Sequence, residues 1–201
     1  MTESDKLKTK ASSTTRHPSS RRVVFIDRDG VINIDLWKYV EYWHEFKFEP
    51  SAVPALKALS DHGFDIFIIS NQAGVGDGIF SAEQLWSVHE NMVRELSAQG
   101  VRIHGAHYCV HSKHADCSCR KPKTGLLEKA VEGISFDHSR TFFVGDKLGD
   151  IEAGKKFKVR TILVRTGYGA ESEKKLTPEL APDHIVDNLG AAVPVILKAV
   201  A

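Results

Sequence analysis

Two aspartates stand two positions apart, Asp27 and Asp29, directly after the apolar run Val23-Val24-Phe25-Ile26, and Gly30 follows them. Carboxylates this close repel one another unless a cation or a proton holds them together. Such a pair suits a magnesium site in which one aspartate is also a nucleophile, although the same residue types also build an ordinary acidic turn. Similar groups recur where other apolar runs end. Ile66-Phe67-Ile68-Ile69 runs into Ser70-Asn71-Gln72, and Thr141-Phe142-Phe143-Val144 runs into Gly145-Asp146-Lys147, with Asp150 one helical turn later. Arg120-Lys121-Pro122-Lys123 stands ahead of a helical stretch. Strand-end acids, a hydroxyl with an amide, and a cation cluster form the set that phosphoryl transfer needs: a nucleophile, a magnesium ion, and fixed positive charge around the moving group.

A second constellation gathers all 3 cysteines of the chain, as Cys109-x-His111 and Cys117-x-Cys119. Clustering of this kind in a chain with no sign of export favours a metal over a disulfide. Three thiolates and one imidazole complete a tetrahedral zinc site with no open position, which marks a structural metal. The alternative is a set of reduced cysteines in a mobile loop. No thiol stands apart with a base of its own, so a nucleophilic cysteine is not expected. The loop, residues 109–119, ends just before Arg120 and Lys121. Zinc there would fix a segment with little core of its own and aim those two cations.

The elements that must position these groups follow from the hydrophobic pattern. Short apolar runs predict strands over residues 23–27, 64–70, 105–110, 141–145 and 160–164. Apolar residues at helical spacing predict helices over 51–62, 81–99, 124–132 and 148–157, and a last one from about Leu189 to the end. Ser51 is the expected cap of the first. This β-α-β-α order predicts an α/β fold, a doubly wound parallel sheet with right-handed crossovers, whose ligands bind at the carboxyl ends of the strands.

Composition sets the outer limits. The 201 residues are 42% apolar and 26% charged, as in a globular protein with a full core. A net charge of +1 offers no global attraction to nucleic acid or to a membrane surface. No apolar run approaches the ~20 residues of a spanning helix, and the N-terminus lacks the apolar core of a signal peptide. Residues 1–20 are poor in apolar groups and are expected to be a disordered tail, leaving one domain over 21–201. The expected protein is cytoplasmic and monomeric, and acts on a small molecule with no nucleic-acid or membrane partner.

Asp27-Arg28-Asp29-Gly30, Ser70-Asn71, Lys121 and Gly145-Asp146-Lys147-Leu148-Gly149-Asp150 resemble the four ordered motifs of the haloacid dehalogenase superfamily. The resemblance runs from about Arg22 to the C-terminus and is nearest to the heptose-bisphosphate and histidinol phosphatase group. It implies a Rossmann-like sheet with a small zinc loop and no large cap domain. It implies Asp27 as nucleophile and Asp29 as general acid/base, with Ser70 and Lys121 holding the phosphoryl oxygens. Asp27, Asp146 and the backbone carbonyl of Asp29 match the magnesium ligands, and Asp150 supports them. Cys109, His111, Cys117 and Cys119 match the zinc loop. Substrate contacts are implied for Asn71, Arg120, Lys147, Asp35 and Tyr39. The implied reaction is magnesium-dependent hydrolysis of a sugar phosphomonoester through an aspartyl-phosphate, with D-glycero-D-manno-heptose 1,7-bisphosphate going to the 1-phosphate or the 7-phosphate.

The alternatives are a histidinol-phosphate phosphatase, a phosphatase of nucleic-acid ends, and a zinc-stabilised binding module without catalysis. Two departures stand out. Asp77 lies where many members of the group carry an arginine, and an acid there opposes a second phosphate. Leu36-Trp37-Lys38 replaces a shorter loop that bears histidine and glycine. The aromatic residues from Trp37 to Phe48 are of a type that stacks on a substrate ring, but the favoured expectation is a small satellite core that packs this flap onto the body.

Overall fold

The computed structural model describes residues 21–200; the tail expected over 1–20 lies outside the described residues. In strand β1 (Arg22–Ile26), Val23, Val24, Phe25 and Ile26 are all fully buried. Successive side chains leave a strand on opposite faces, so both faces must meet apolar layers. Val24 and Ile26 enter one core with Leu56, Met92 and Ile196. Val23 and Phe25 enter a second core with Leu127, Phe143 and Ala153. A strand in that setting belongs in the middle of a sheet.

β1 pairs in parallel with β2 (Phe64–Asn71) on one side and β4 (Phe142–Gly145) on the other. With β3 (Ile103–Cys109), β5 (Arg160–Val164) and β6 (His184–Val186), the order is β3-β2-β1-β4-β5-β6, parallel throughout. The strand order reverses between β1 and β4, and a crevice opens at that switch point beyond the carboxyl ends.

Seven helices cover the sheet among the described residues: α1 (Ala52–Asp61), α2 (Ala73–Gly76), α3 (Ala82–Ala98), α4 (Gly125–Ala130), α5 (Leu148–Lys156), α6 (Gly169–Glu173) and α7 (Leu189–Val200). Buried residues of α1, α3 and α7 line the first core, and those of α4 and α5 the second. On α3 the stripe Leu85, Val88, Met92 and Leu96 is buried, and Ser81 and Gln84 close a capping box at its start, at 2.7 and 3.2 Å.

Three local expectations are corrected. The Ser51 hydroxyl does not cap α1: it bonds Glu49 and accepts from the Gly190 amide at 3.2 Å, tying α1 to the start of α7. The aromatic flap is not a separate satellite. Phe46 is part of the first core, and Trp43 and Phe48 pack on it with ring centroids at 5.0 and 5.1 Å. β6 was not foreseen, because three half-buried residues are too few to show a period. It is pinned to β5 by Asp183, whose carboxylate accepts from the Thr161 amide at 2.7 Å and hydroxyl at 3.0 Å. No helix among the described residues is long and apolar enough to cross a membrane.

Candidate active site

β1 delivers Asp27 to the crevice, where its amide donates to the Val144 carbonyl of β4 at 3.0 Å. The chain then turns through Gly30 at φ +86°; a Cβ there would stand 2.3 Å from Asp146 Oδ2. Gly167, at φ +54°, closes on the same oxygen from the other side. Both positions combine a left-handed backbone with no room for a side chain, which only glycine meets. The Asp146 carboxylate is thereby held in a slot. Its Oδ2 accepts the Tyr168 amide at 2.8 Å, while Oδ1 is buried with no hydrogen-bond partner.

Asp27, Asp146 and Asp150 each bring one carboxylate oxygen to within 4.8 Å of the others. Burial pushes the Asp146 carboxyl well above the ordinary carboxylate range. The charges of Asp27 and Asp150 add to that, against the pull of Lys147. Clustered hard oxygens, one of them unpartnered and buried, fit a divalent cation such as magnesium.

Lys121 answers these acids. Its buried Nζ lies 3.0 Å from Asp27 Oδ1 and 2.6 Å from Asp150 Oδ1, and donates to the Ile69 carbonyl at 2.7 Å. Burial alone would lower the ammonium pKa, but Asp150 and Asp27 outweigh it and keep Lys121 charged. Asn71, at the end of β2, grips the main chain of Lys121 from both sides. Its Nδ2 donates to the Lys121 carbonyl and its Oδ1 accepts from the Lys121 amide, each at 3.1 Å. Asn71 therefore places this cation besides lining the cavity. Asn71→Ala is expected to cost about 1–3 kcal/mol of stability and to lower kcat more than it raises KM; urea unfolding and steady-state kinetics check both.

Asp29 has a different neighbourhood from its partner. The fully buried Arg28 donates Nε and Nη2 to Asp29 Oδ1 at 3.1 and 2.9 Å, and Nη2 also reaches Oδ2 at 3.0 Å. Asn33 donates at 3.1 Å and Gln72 at 2.6 Å. Burial would raise the Asp29 carboxyl, but Arg28, Lys147 and Asn33 hold it below the ordinary range. Its side chain is outside the Asp27–Asp146–Asp150 group, so any metal contact from Asp29 comes from its main chain.

Ser70 is buried, and its hydroxyl accepts from Gln72 Nε2 at 3.2 Å. Lys147 Nζ stands 3.2 Å from Asp35, 3.7 Å from Asp146 and 4.6 Å from the Tyr168 ring centroid. Burial works against the Lys147 charge, but Asp27, Asp146, Asp150 and Asp35 together raise its pKa. Asp27, Asp29, Asp35, Tyr39, Ser70, Asn71, Arg120, Lys121 and Lys147 all line one cavity of about 490 Å³, with Asp146 beneath it.

Beside the cavity, Cys109, His111, Cys117 and Cys119 turn their ligand atoms together. Cys109 Sγ is 3.7 Å from both Cys117 Sγ and His111 Nδ1, and Cys119 Sγ is 3.3 Å from Cys109 Sγ and 3.1 Å from His111 Nδ1. Tetrahedral zinc bonds imply edges of roughly 3.6–3.8 Å, so a small contraction of the metal-bound geometry describes the cluster. Burial opposes thiolate formation here. At Cys117 the Arg120 amide and the neighbouring sulfurs outweigh it and pull the thiol down. At Cys119 the same sulfurs add to burial and push the thiol up. A divalent ion relieves this conflict by accepting every thiolate at once.

Asp77 does not line the cavity. It lies at the end of α2, and its Oδ1 accepts the Lys113 amide of the cysteine loop at 3.2 Å. Lys113 itself lines the cavity, with Nζ 5.8 Å from the Tyr39 ring centroid. Arg28 and Gln72, both beside motif residues in the chain, join the site as hydrogen-bond donors to Asp29. Tyr168 joins it as well, and its signal in the sequence is its place in a glycine-bearing segment after the β5 strand end.

The HAD-hydrolase-like family model matches residues 118–192. The D-glycero-beta-D-manno-heptose-1,7-bisphosphate 7-phosphatase of Haemophilus influenzae is 36% identical over 184 residues, spanning 88% of this chain and 97% of its own. The enzyme of the same name from Pseudomonas aeruginosa is 34% identical over 179 residues, spanning 89% and 99%. Among solved structures, D,D-heptose 1,7-bisphosphate phosphatase from B. bronchiseptica, complexed with magnesium and phosphate, matches with a TM-score of 0.83 at 27% identity, covering 88% of this chain and 98% of its own. Its counterpart from Burkholderia thailandensis matches with a TM-score of 0.68 at 29% identity, covering 89% and 99%.

Proposed function

This chain belongs to the haloacid dehalogenase-like phosphatases, beside the heptose bisphosphate phosphatases, and we propose from that premise that it removes the 7-phosphate of D-glycero-D-manno-heptose 1,7-bisphosphate and leaves the 1-phosphate. The observation that carries the chemistry is the meeting of Asp27, Asp150 and Lys121 at one cavity, with the Asp146 carboxylate grouped with those of Asp27 and Asp150. The substrate is drawn from relatives matched over nearly their whole length.

A magnesium ion held by Asp27 and Asp146, with Asp150 close by, would supply positive charge to the phosphoryl oxygens. A carboxylate oxygen of Asp27 attacks phosphorus, the ester P–O bond breaks, and an aspartyl-phosphate forms. Asp29 protonates the leaving sugar oxygen, then takes a proton from the water that attacks phosphorus and frees Asp27 and inorganic phosphate. Lys121 and Ser70 hold the phosphoryl oxygens throughout. Arg28 keeps Asp29 ionised in the resting site, which suits the second half of the cycle. For the first half, the incoming phosphate dianion is the charge that draws a proton onto Asp29. We assign the second phosphate to the cations Lys113 and Arg120, which line the same cavity.

We read the Cys109–His111–Cys117–Cys119 cluster as a structural zinc site that fixes the loop leading into Arg120 and Lys121. Cysteines kept as metal ligands suit a reducing compartment, the cytoplasm.

The function is tested by phosphate release with magnesium from heptose 1,7-bisphosphate, other sugar phosphates and histidinol phosphate. Strong preference for the bisphosphate is the expected result, and preference for another ester overturns the substrate. Magnesium at a hundredfold excess over its Kd is expected to stabilise the protein by about 2.7 kcal/mol, roughly 5–10 °C in Tm. The gain should grow with pH. Asp146 binds its proton more tightly folded than unfolded, so its contribution to metal-free stability is present at low pH and is lost as pH rises through its folded titration. Magnesium must displace that proton, so its gain appears over the same window. Thermal unfolding with and without magnesium, in the native protein and in Asp146→Asn, measures it.

A further inference from the structure

We propose that Trp37 is the wall against which the sugar ring of the substrate rests, a specificity-determining contact built on a strained backbone. This rests on the reading of the protein as a sugar-phosphate phosphatase and assigns the part of the substrate that is not phosphate. Trp37 has φ +59°, in the left-handed region. Bulky side chains seldom occupy it, and the backbone there is strained. Burial does not offset that strain. The indole is 63% exposed, more than Tyr42 at 51%, Ile79 at 50% or Trp86 at 47%.

Short contacts to the site hold it in place. The Trp37 amide donates to Asp35 Oδ1 at 2.7 Å, and the other Asp35 oxygen takes Lys147 Nζ at 3.2 Å. The indole meets the Tyr168 ring at a centroid distance of 4.4 Å and 70° between planes, and the Tyr168 amide donates to Asp146. Trp37 is thus coupled through Asp35 and Tyr168 to Lys147 and Asp146, and its ring lines the cavity.

Two other aromatic rings line the cavity, and both are engaged. Tyr39 packs on Phe80 at 5.5 Å and faces Lys113, while Tyr168 takes Lys147 and Trp37. The indole also meets Tyr168, but at 63% exposure it keeps the most open aromatic surface of the three. An exposed ring held at a cavity wall by contacts to the site itself, on a strained backbone, is a recognition surface. A flat π face suits the C–H-bearing face of a pyranose, whose phosphates the neighbouring cations take.

Glycine adopts φ +59° without strain, so Trp37→Gly tests the proposal without unfolding the loop. Its unfolding midpoint is expected to equal or exceed that of the native protein. KM for heptose 1,7-bisphosphate should rise roughly three- to tenfold, Trp37→Phe should recover most of it, and kcat/KM for the acyclic ester glycerol 1-phosphate should fall by much less than that for the bisphosphate. In an Asp27→Asn background, which binds without turnover, heptose 1,7-bisphosphate should change the tryptophan fluorescence, and Trp37→Phe should abolish that change. An unaltered KM for the bisphosphate overturns the proposal. So does an equal loss on the cyclic and acyclic esters, which would make Trp37 a support for the loop alone. If the native protein prefers another phosphorylated ring, the substrate reading fails by itself and the same cyclic-to-acyclic ratio decides Trp37. Turnover of acyclic esters only would overturn both.

Discussion

Asp27→Asn is expected to reduce phosphate release by at least ~10⁴-fold, the scale on which removal of a catalytic nucleophile acts, with the fold intact. The amide fills the same volume but cannot attack phosphorus. Two local changes in stability oppose each other. Lys121 loses a carboxylate at 3.0 Å but keeps Asp150 at 2.6 Å and the Ile69 carbonyl at 2.7 Å. Asp146 and Asp150 lose a neighbour of like charge. A net change of no more than about 1 kcal/mol follows from this cancellation. Asp29 is not placed to take over as nucleophile, because its carboxylate lies outside the group that Asp27 forms with Asp146 and Asp150. A phosphate-release assay with thermal unfolding reads both quantities. Turnover above about one hundredth of the native rate would place the nucleophile elsewhere.

Cys117→Ser is expected to empty the zinc site and to produce the largest loss of stability of any single change considered. Serine matches cysteine closely in size, and Cys117 is only half-buried, so lost packing contributes little. The loss comes from the metal. A structural zinc is worth roughly 10–16 kcal/mol in small domains, and surrendering a few kcal/mol of that lowers Tm by about 10 °C in a protein of this size. Activity should fall less, by about 10–100-fold. Lys121 is also held by Asn71, Asp27 and Asp150, whereas Arg120 relies on the loop carbonyl of His111. KM should therefore suffer more than kcat. Metal analysis and differential scanning calorimetry decide it: native zinc content with an unchanged Tm would exclude the four-ligand site.

The parts of this protein that were legible in its sequence are those in which one segment carries the whole signal. Val23-Val24-Phe25-Ile26 reads as a strand buried on both faces because its apolar residues leave no polar side, and it is central in the sheet. Leu85, Val88, Met92 and Leu96 read as one helical stripe, and they form one. The polar residues at the ends of β1, β2 and β4 were legible as a group, because parallel strands deliver their carboxyl ends to the same edge. The cysteine and histidine spacing sufficed to mark the second cluster.

The tertiary structure alone decided what depends on groups far apart in the chain. Lys121 reaches Asp27 and Asp150 only because β1 and β4 are neighbours, and no local pattern encodes that adjacency. Asp77 read as an acid facing a second phosphate, and only the fold shows its carboxylate on the Lys113 amide, outside the cavity lining. Arg28 carried no assigned role in the sequence, whereas in the fold its guanidinium bonds Asp29 and holds that carboxylate ionised against the effect of burial. The left-handed backbone at Trp37 could not be read from its residue type, and only the fold sets it beside Asp35 and Tyr168. Propensity and periodicity act over a few residues along the chain, whereas charge, burial and backbone strain are set by whatever the fold brings alongside.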